Sequence, residues 1–144
     1  MPILNYTTRV PAKVTAQQLQ AMLAEKGATE VQTMYEANRP TGIRFSIETK
    51  NGMLRFALPV DVDRTYQVLT NQGVLVKDAA RRREQAERTS WRIVRTWVMA
   101  QLAIIETEMV QLDQVFLPYM LAGDQTLYEY LDDGGMQKLL AAPE

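Results

Sequence analysis

The first half of the chain alternates apolar and polar residues in short runs, a pattern typical of β-strands. Residues 3–10 are β-branched and aromatic and predict an opening strand, and residues 29–36 predict a second one. Residues 38–42 include Asn, Pro and Gly and predict a turn before the next strand. This half is therefore expected to form a small antiparallel sheet.

The clearest local feature is a hairpin around Asn51-Gly52, which lies between two alternating runs. A type I′ turn needs positive φ at both central residues, and this dipeptide tolerates it. A two-residue loop there would place Glu48 opposite Arg55 on a polar face, with apolar side chains meeting on the other face.

Two short helices are predicted beside these strands. The first begins at a capping box of Thr15 and Gln18 and ends at Gly27, a residue type favoured just after a helix. The second follows the hairpin, where Asp61 or Asp63 can cap its N-terminus.

The longest predicted element is a helix over 78–117, because no Pro or Gly interrupts this stretch before Pro118. At 100° per residue its apolar residues form two stripes. The first stripe consists of Trp91, Val94, Val98, Ile105, Met109, Leu112 and Phe116. The second stripe consists of Ala86, Ile93, Trp97, Ala100, Ile104 and Val115. Two stripes need two surfaces to pack against, so we expect homo-oligomerisation through this helix unless the C-terminal helix covers the second stripe.

Together these elements predict an α+β fold: a small antiparallel sheet in the order β-α-β-β-β with short helices, then one long helix and a short terminal helix. No internal repeat or linker divides the chain, so residues 1–144 are interpreted as a single domain. Within it, the sheet part covers 1–75, the long helix 78–117, and the short helix and tail 124–144.

The composition, 47% hydrophobic and 23% charged, is ordinary for a soluble globular protein. No apolar run is long enough to span a membrane, and the first residues do not resemble a signal peptide. The lack of cysteine fits a cytoplasmic location. Without His or Cys, the common nucleophile–His pairs and tight zinc sites are excluded. We therefore expect no enzymatic activity, no metal and no cofactor.

Charge changes this ordinary picture, because it is sorted along the chain. Residues 1–95 hold 15 Lys or Arg and 9 Asp or Glu, a net charge of +6, whereas residues 96–137 hold no Lys or Arg and 7 acids. Arginine crowds the N-terminal half of the long helix, where the helix dipole is already positive. An anionic ligand, or the acidic half of a neighbouring subunit, would offset this arrangement.

Six arginines and no lysine lie between residues 81 and 95, and they are the candidate ligand-binding residues: Arg81, Arg82, Arg83, Arg88, Arg92 and Arg95. Guanidinium groups favour bidentate contacts with phosphate or carboxylate. Trp91 is a further candidate, for stacking on a base, and Arg44 for extending the patch. The alternative interpretation is a solvated helix face with Glu84 and Glu87 as local partners.

Two segments, MPILNYTTRVPA and WRIVRTWVMAQLAIIETEMVQLDQVFLPYM, resemble small, mostly uncharacterised proteins encoded by bacteriophages and prophages. The resemblance covers most of the chain and brings no catalytic motif. It implies an accessory role in the bacterial cell, such as blunting host defence by blocking an effector or sequestering a nucleotide signal, or attending phage DNA.

Two functional hypotheses follow. The first is stoichiometric, non-enzymatic capture of a phosphate-bearing ligand, either nucleic acid or a nucleotide signal of host immunity. In it Arg88, Arg92 and Arg95 contact phosphate, and the arginines at 81–83 add positive field. The second is inhibition of a host defence nuclease or effector through the acidic half, residues 106–133, which would mimic nucleic acid.

Overall fold

The computed structural model describes residues 1–73 and 78–141. The predicted α+β class is confirmed. The structure contains a three-stranded antiparallel sheet of β1 (Glu30–Glu36), β2 (Arg39–Thr49) and β3 (Gly52–Ala57), and three longer helices, α1 (Ala12–Glu25), α2 (Val62–Asn71) and α3 (Ala79–Glu106). Residues 74–77 and 142–144, which hold the predicted junction before the long helix and the end of the predicted tail, lie outside the described residues.

The residues after α3 form a series of short elements rather than one helix. In chain order these are α4 (Leu112–Val115), a 3₁₀ turn (Leu117–Tyr119), β4 (Leu121–Ala122), β5 (Gln125–Thr126), α5 (Leu127–Tyr130), a π-helical turn (Leu131–Gly135) and α6 (Met136–Leu140). A capping box starts α5, in which the Thr126 hydroxyl accepts from the Glu129 backbone N–H. The backbone N–H of Thr126, and then its hydroxyl, lower the pKa of the Glu129 carboxyl.

The core lies between one face of the sheet and the two helices α1 and α3. It contains Ile43, Phe45, Ile47, Phe56 and Leu58 from the sheet, Ala16, Leu19 and Leu23 from α1, and Trp91, Val94, Val98 and Leu102 from α3. Residues that alternate with these on the strands face away from the helices. The first apolar stripe of the long helix therefore faces the sheet, with Trp91, Val94 and Val98 buried. The sequence alone left open which of the two stripes does so.

The predicted opening strand at residues 3–10 is wrong, because the chain forms turns there. Two polar side chains of α3 hold these turns. The Gln85 side-chain amide donates to the carbonyls of Tyr6 (2.8 Å) and Thr8 (3.0 Å), and the Thr89 hydroxyl donates to the carbonyl of Asn5 (3.1 Å). These bonds use backbone acceptors that a strand would need for its ladder.

The two predicted short helices are present. α1 starts at Ala12, after Pro11, and the predicted cap Thr15 is instead fully buried against the core. Gly27 ends this helix with a φ of 106°, as predicted. At the start of α2, the Asp61 carboxylate accepts from the backbone N–H of Arg64 at 3.1 Å, which confirms the predicted cap.

The type I′ turn lies in a different hairpin from the predicted one. Between β1 and β2, Ala37 and Asn38 have φ values of 50° and 64°, which is the pattern of that turn. The predicted turn at 38–42 is therefore misplaced, since Arg39 already begins β2. In the β2–β3 turn only Gly52 has positive φ. The Thr49 hydroxyl accepts from the backbone N–H of Asn51 and donates to the carbonyl of Gly52.

This turn changes the register that the alternating pattern predicted. Glu48 lies opposite Met53 rather than Arg55, and Phe45 lies opposite Phe56. The partners are displaced by two residues, and side chains alternate with period two, so the same residues still face the core. The predicted Glu48–Arg55 pair is therefore wrong, although the apolar face is right.

The long helix is shorter than predicted and ends at Glu106 rather than at residue 117. At about 1.5 Å per residue its 28 residues span about 42 Å. The Thr107 hydroxyl donates to the Ile104 carbonyl at 2.6 Å, and Glu108 follows in a left-handed conformation with φ 64°. This reversal brings Phe116 into the core, where its ring lies 5.8 Å from that of Phe45. A continuous helix would carry Phe116 away from these partners, so core packing overrides the helix propensity of the segment.

The second apolar stripe is only partly covered within the chain. Trp97 packs edge-on against Phe116 and Tyr119, with ring centroids 5.6 and 5.4 Å away. Farther along α3, Ala100 and Ile104 are exposed. No helix among the described residues is both long and apolar enough to cross a lipid bilayer.

Candidate anion-binding surface

Helical spacing divides the arginines of α3 into two groups. Arg88, Arg92 and Arg95 follow one another at i, i+4 and i+7, so they lie along one line of the helix surface. We call these three residues the arginine ridge. Arg82 and Arg83 point in other directions, toward α2.

Arg82 and Arg83 already have partners in α2. Arg82 donates to the Tyr66 hydroxyl at 3.1 Å, and its guanidinium carbon lies 5.2 Å from the centre of the Tyr66 ring. Arg83 lies 5.9 Å from the same ring and forms an ion pair with Asp63. These two arginines therefore help to join α3 to α2.

Arg88 begins the arginine ridge and rests on a neutral partner. Its guanidinium donates to the side-chain oxygen of Gln85 at 2.6 Å, and Gln85 in turn holds the carbonyls of Tyr6 and Thr8. The turns at the start of the chain thus border this end of the ridge. Gln85 is buried, so its orientation is fixed by these bonds.

Arg92 lies beside α1 and is also held by neutral groups. It donates to the Gln18 side-chain oxygen at 2.7 Å and to the buried Thr15 hydroxyl at 3.4 Å. Burial, and then the nearby charge of Arg95, lower the pKa of Arg92. Both effects disfavour the charged form, and an anion placed beside the ridge would relieve both.

Arg95 completes the ridge one turn farther along. It is half-buried, and no hydrogen bond or ion pair holds it among the described residues. The Nε atoms of Arg88 and Arg95 are both buried without a hydrogen-bond partner in the same part of the chain. Buried donors of this kind are uncommon and raise the free energy of the folded state.

None of the three ridge arginines is neutralised by a carboxylate among the described residues. The ion pairs found there are Lys26–Glu106, Arg39–Glu87 and Arg83–Asp63. Three half-buried guanidinium groups thus share one surface with only neutral partners. Such a surface attracts anions, and guanidinium groups suit the oxygen atoms of phosphate.

Two sequence-predicted members do not join the ridge. Trp91 is fully buried, and its indole N–H donates to the Pro40 carbonyl at 3.1 Å. Its ring therefore has no exposed face on which a base can stack, and the prediction for Trp91 is wrong. Arg44 alternates with Ile43 and Phe45 on β2, so it lies on the face of the sheet away from α3 and does not extend the patch.

Arg81 is exposed at the first turn of α3, on the same side of the helix as the ridge. Seven residues separate it from Arg88, which corresponds to about 10 Å along the axis. It can add positive field near the ridge, as predicted.

Two cavities lie elsewhere on the described part of the chain, with volumes of about 540 and 730 Å³. The first lies between the β1–β2 turn, the start of α2 and the N-terminal part of α3, and the second lies near the C-terminal end of α3. Neither is lined by a ridge arginine.

Local sequence patterns do not identify the neutral residues that position the ridge. They favour a helix-cap role for Gln18 and indicate no role for Gln85 and Thr89. One signal is present nonetheless: Gln85 and Thr89 are spaced i, i+4 on a helix next to the arginines, and polar pairs of that spacing interact.

No family model matches the chain, and no curated protein or solved structure gives a significant match.

Proposed function

We propose that this protein is a non-enzymatic, stoichiometric binder of a phosphate-bearing polymer, and that the arginine ridge contacts its backbone. The observation that carries the proposal is the absence of a carboxylate partner for Arg88, Arg92 and Arg95 among the described residues. Nucleic acid is the polymer with the matching chemistry, because its phosphates are bound by arginine without regard to sequence.

The position of the ridge favours nucleic acid over a small nucleotide signal. Pockets for small ligands are concave and bury most of the ligand, whereas neither of the two described cavities is lined by a ridge arginine. The ridge spans about 10.5 Å along the helix axis. Phosphates of one strand recur about every 3.4 Å along a duplex, so about three fit this length.

The test is a titration of labelled DNA and RNA, single- and double-stranded, followed by fluorescence anisotropy at several salt concentrations. Three phosphate contacts predict a slope of about −2 to −3 in a plot of log K against log salt. Arg55→Gln provides a matched control, because it removes the same charge from the face of the sheet away from α3. Binding that does not depend on salt, or that Arg55→Gln weakens as much as Arg92→Gln does, contradicts the proposal.

The biological role that we propose is that of a phage accessory protein acting in the cytoplasm of the bacterial host, where binding would counter host defence. The basis is the resemblance of the opening and α3 segments to proteins encoded by phages and prophages.

We also propose that the protein acts as a homo-oligomer, because Met99 and Ile104 remain 45% and 37% exposed on α3.

A second candidate function is inhibition of a host nuclease or effector by the acidic C-terminal half. The observation that favours it is a cluster of exposed acids and tyrosines: Asp124, Asp132, Asp133, Tyr128 and Tyr130. Asp132 and Asp133 form no ion pair among the described residues. The test is capture of one nuclease from host lysate. The second function predicts that Asp132→Asn/Asp133→Asn abolishes this capture and that Arg92→Gln leaves it unchanged, which distinguishes it from the first function.

A further inference from the structure

The last helix, α6, presents an uncovered apolar face. Met136, Leu139 and Leu140 are spaced i, i+3 and i+4, so they share one side of the helix. They are 39%, 64% and 82% exposed. Single exposed apolar residues are common, but three on one face of a helix are typical of a docking surface.

The chain immediately before α6 is acidic. Asp132 and Asp133 are exposed within the π-helical turn that leads into this helix. Between residues 96 and 137 the chain contains no Lys or Arg, and Lys138 in the last turn of α6 forms no ion pair with them among the described residues. The C-terminal segment therefore combines an apolar face with negative charge at one end.

α3 has the complementary arrangement along a single surface. The arginine ridge continues at the same helical spacing to Met99, which is exposed. Exposed Ala100, Ala103 and Ile104 lie beside it on the next turn. Small alanine side chains allow another helix to approach closely. Along this side of α3, the positively charged ridge is therefore followed by an exposed apolar surface on which a second helix can pack.

We infer that α6 of one copy docks on α3 of a second copy. Met136, Leu139 and Leu140 would cover Met99 and Ile104, while Asp132 and Asp133 approach Arg92 and Arg95. Charge complementarity supports this occupant, because one chain carries both the acidic apolar segment and its basic apolar counterpart. A two-fold axis would repeat the contact, so that each copy provides one helix and receives the other. The inference rests on the homo-oligomer proposed above, and because its contact uses Arg92 and Arg95, it would compete with a phosphate-bearing ligand there. Its test requires no ligand, so the failure of the dimer contact and the failure of ligand binding are distinguishable.

The experiment measures molar mass by light scattering or sedimentation for the full chain over a range of concentrations. The wild-type protein is expected to dimerise, and Leu139→Asp/Leu140→Asp is expected to remain monomeric at the same concentrations. Met53→Asp is the control for added negative charge, because it places one aspartate on an exposed apolar residue of the outer sheet face. Circular dichroism confirms that each variant is folded.

A charge exchange separates this contact from other interfaces. Asp132→Arg/Asp133→Arg is expected to weaken the dimer, and combining it with Arg92→Glu/Arg95→Glu is expected to restore it. A monomeric wild-type protein overturns the inference and leaves α6 to a different partner. A dimer that survives Leu139→Asp/Leu140→Asp also overturns the inference. So does a combined charge-exchange variant that dimerises no better than Asp132→Arg/Asp133→Arg alone.

Discussion

The arginines of α3 experience two different environments on the same helix. Arg82 and Arg83 contact a tyrosine ring, and Arg83 also pairs with a carboxylate of α2. Arg88, Arg92 and Arg95 are half-buried. The first two donate hydrogen bonds to neutral side chains, and Arg95 has no hydrogen bond or ion pair among the described residues. The residue type is the same in both groups, so the neighbouring elements decide the role of each arginine.

This difference separates structural arginines from arginines available to a ligand. A guanidinium that already interacts with an acid or a ring gains little from a second anion. A ridge arginine has lost part of its hydration without gaining an opposite charge, and in the proposed function a phosphate would provide that charge. Charge count alone would assign both groups to one site.

The largest expected effect is on nucleic-acid affinity. Arg88→Gln/Arg92→Gln/Arg95→Gln should weaken binding by about a thousandfold, because each of the three lost charged contacts costs about tenfold. Arg82→Gln/Arg83→Gln removes two charges from the same helix and should weaken binding only a few-fold. Anisotropy titrations of the two variants with one labelled oligonucleotide compare them directly. Equal losses in both would abolish the distinction between the two groups.

Trp91→Phe should separate stability from binding. The substitution leaves the Pro40 carbonyl without its buried donor and creates a small cavity, so the free energy of unfolding should fall by about 1–3 kcal/mol. Affinity per folded molecule should not change, since the indole is inside the core. Denaturant unfolding and anisotropy measure the two quantities. A large loss of affinity with little loss of stability would show that Trp91 contributes to ligand binding.

Salt dependence should change by a small, defined amount. Removing one phosphate contact with Arg92→Gln should reduce the slope of log K against log salt by about 0.7–0.9. Arg83→Gln should leave the slope close to that of the wild-type protein. The comparison fails if the Arg83 substitution produces the larger change.

The smallest effect is on the stability of the free protein. Arg95→Gln removes a like charge from the neighbourhood of Arg92, so the free energy of unfolding should stay constant or rise by about 0.2–0.5 kcal/mol. Arg83→Gln should lower it by up to about 1 kcal/mol, because it removes an exposed ion pair. Thermal unfolding at low salt measures both changes. A clear destabilisation by Arg95→Gln would show that the ridge already has a stabilising partner.

Local patterns predicted the parts of the fold that local physics determines. Period two identified the apolar faces of β2 and β3, and helical spacing grouped Trp91, Val94 and Val98 on one stripe, which the structure buries in the core. The same spacing places Arg88, Arg92 and Arg95 along one line of α3. Such features depend on residues a few positions apart, which a sequence displays directly.

Long-range contacts account for the errors. The opening residues form turns because Gln85 and Thr89, which lie 79 and 84 positions later in the chain, donate hydrogen bonds to their carbonyls. α3 ends early without Gly or Pro because Phe116 packs against Phe45. The separation of Arg82 and Arg83 from the ridge depends on where α2 lies. None of these causes is visible in a window of neighbouring residues.

The most direct test of the central claim is side-chain NMR of the arginine Nε–Hε groups during addition of a short single-stranded oligonucleotide. This measurement gives a separate signal for each guanidinium, so the ridge arginines can be compared with Arg82 and Arg83 in one sample. We expect the signals of Arg88, Arg92 and Arg95 to shift in proportion to bound ligand, while those of Arg82 and Arg83 stay in place. Signals that shift only at Arg82 and Arg83, or ridge signals that do not move at saturating ligand, would contradict it.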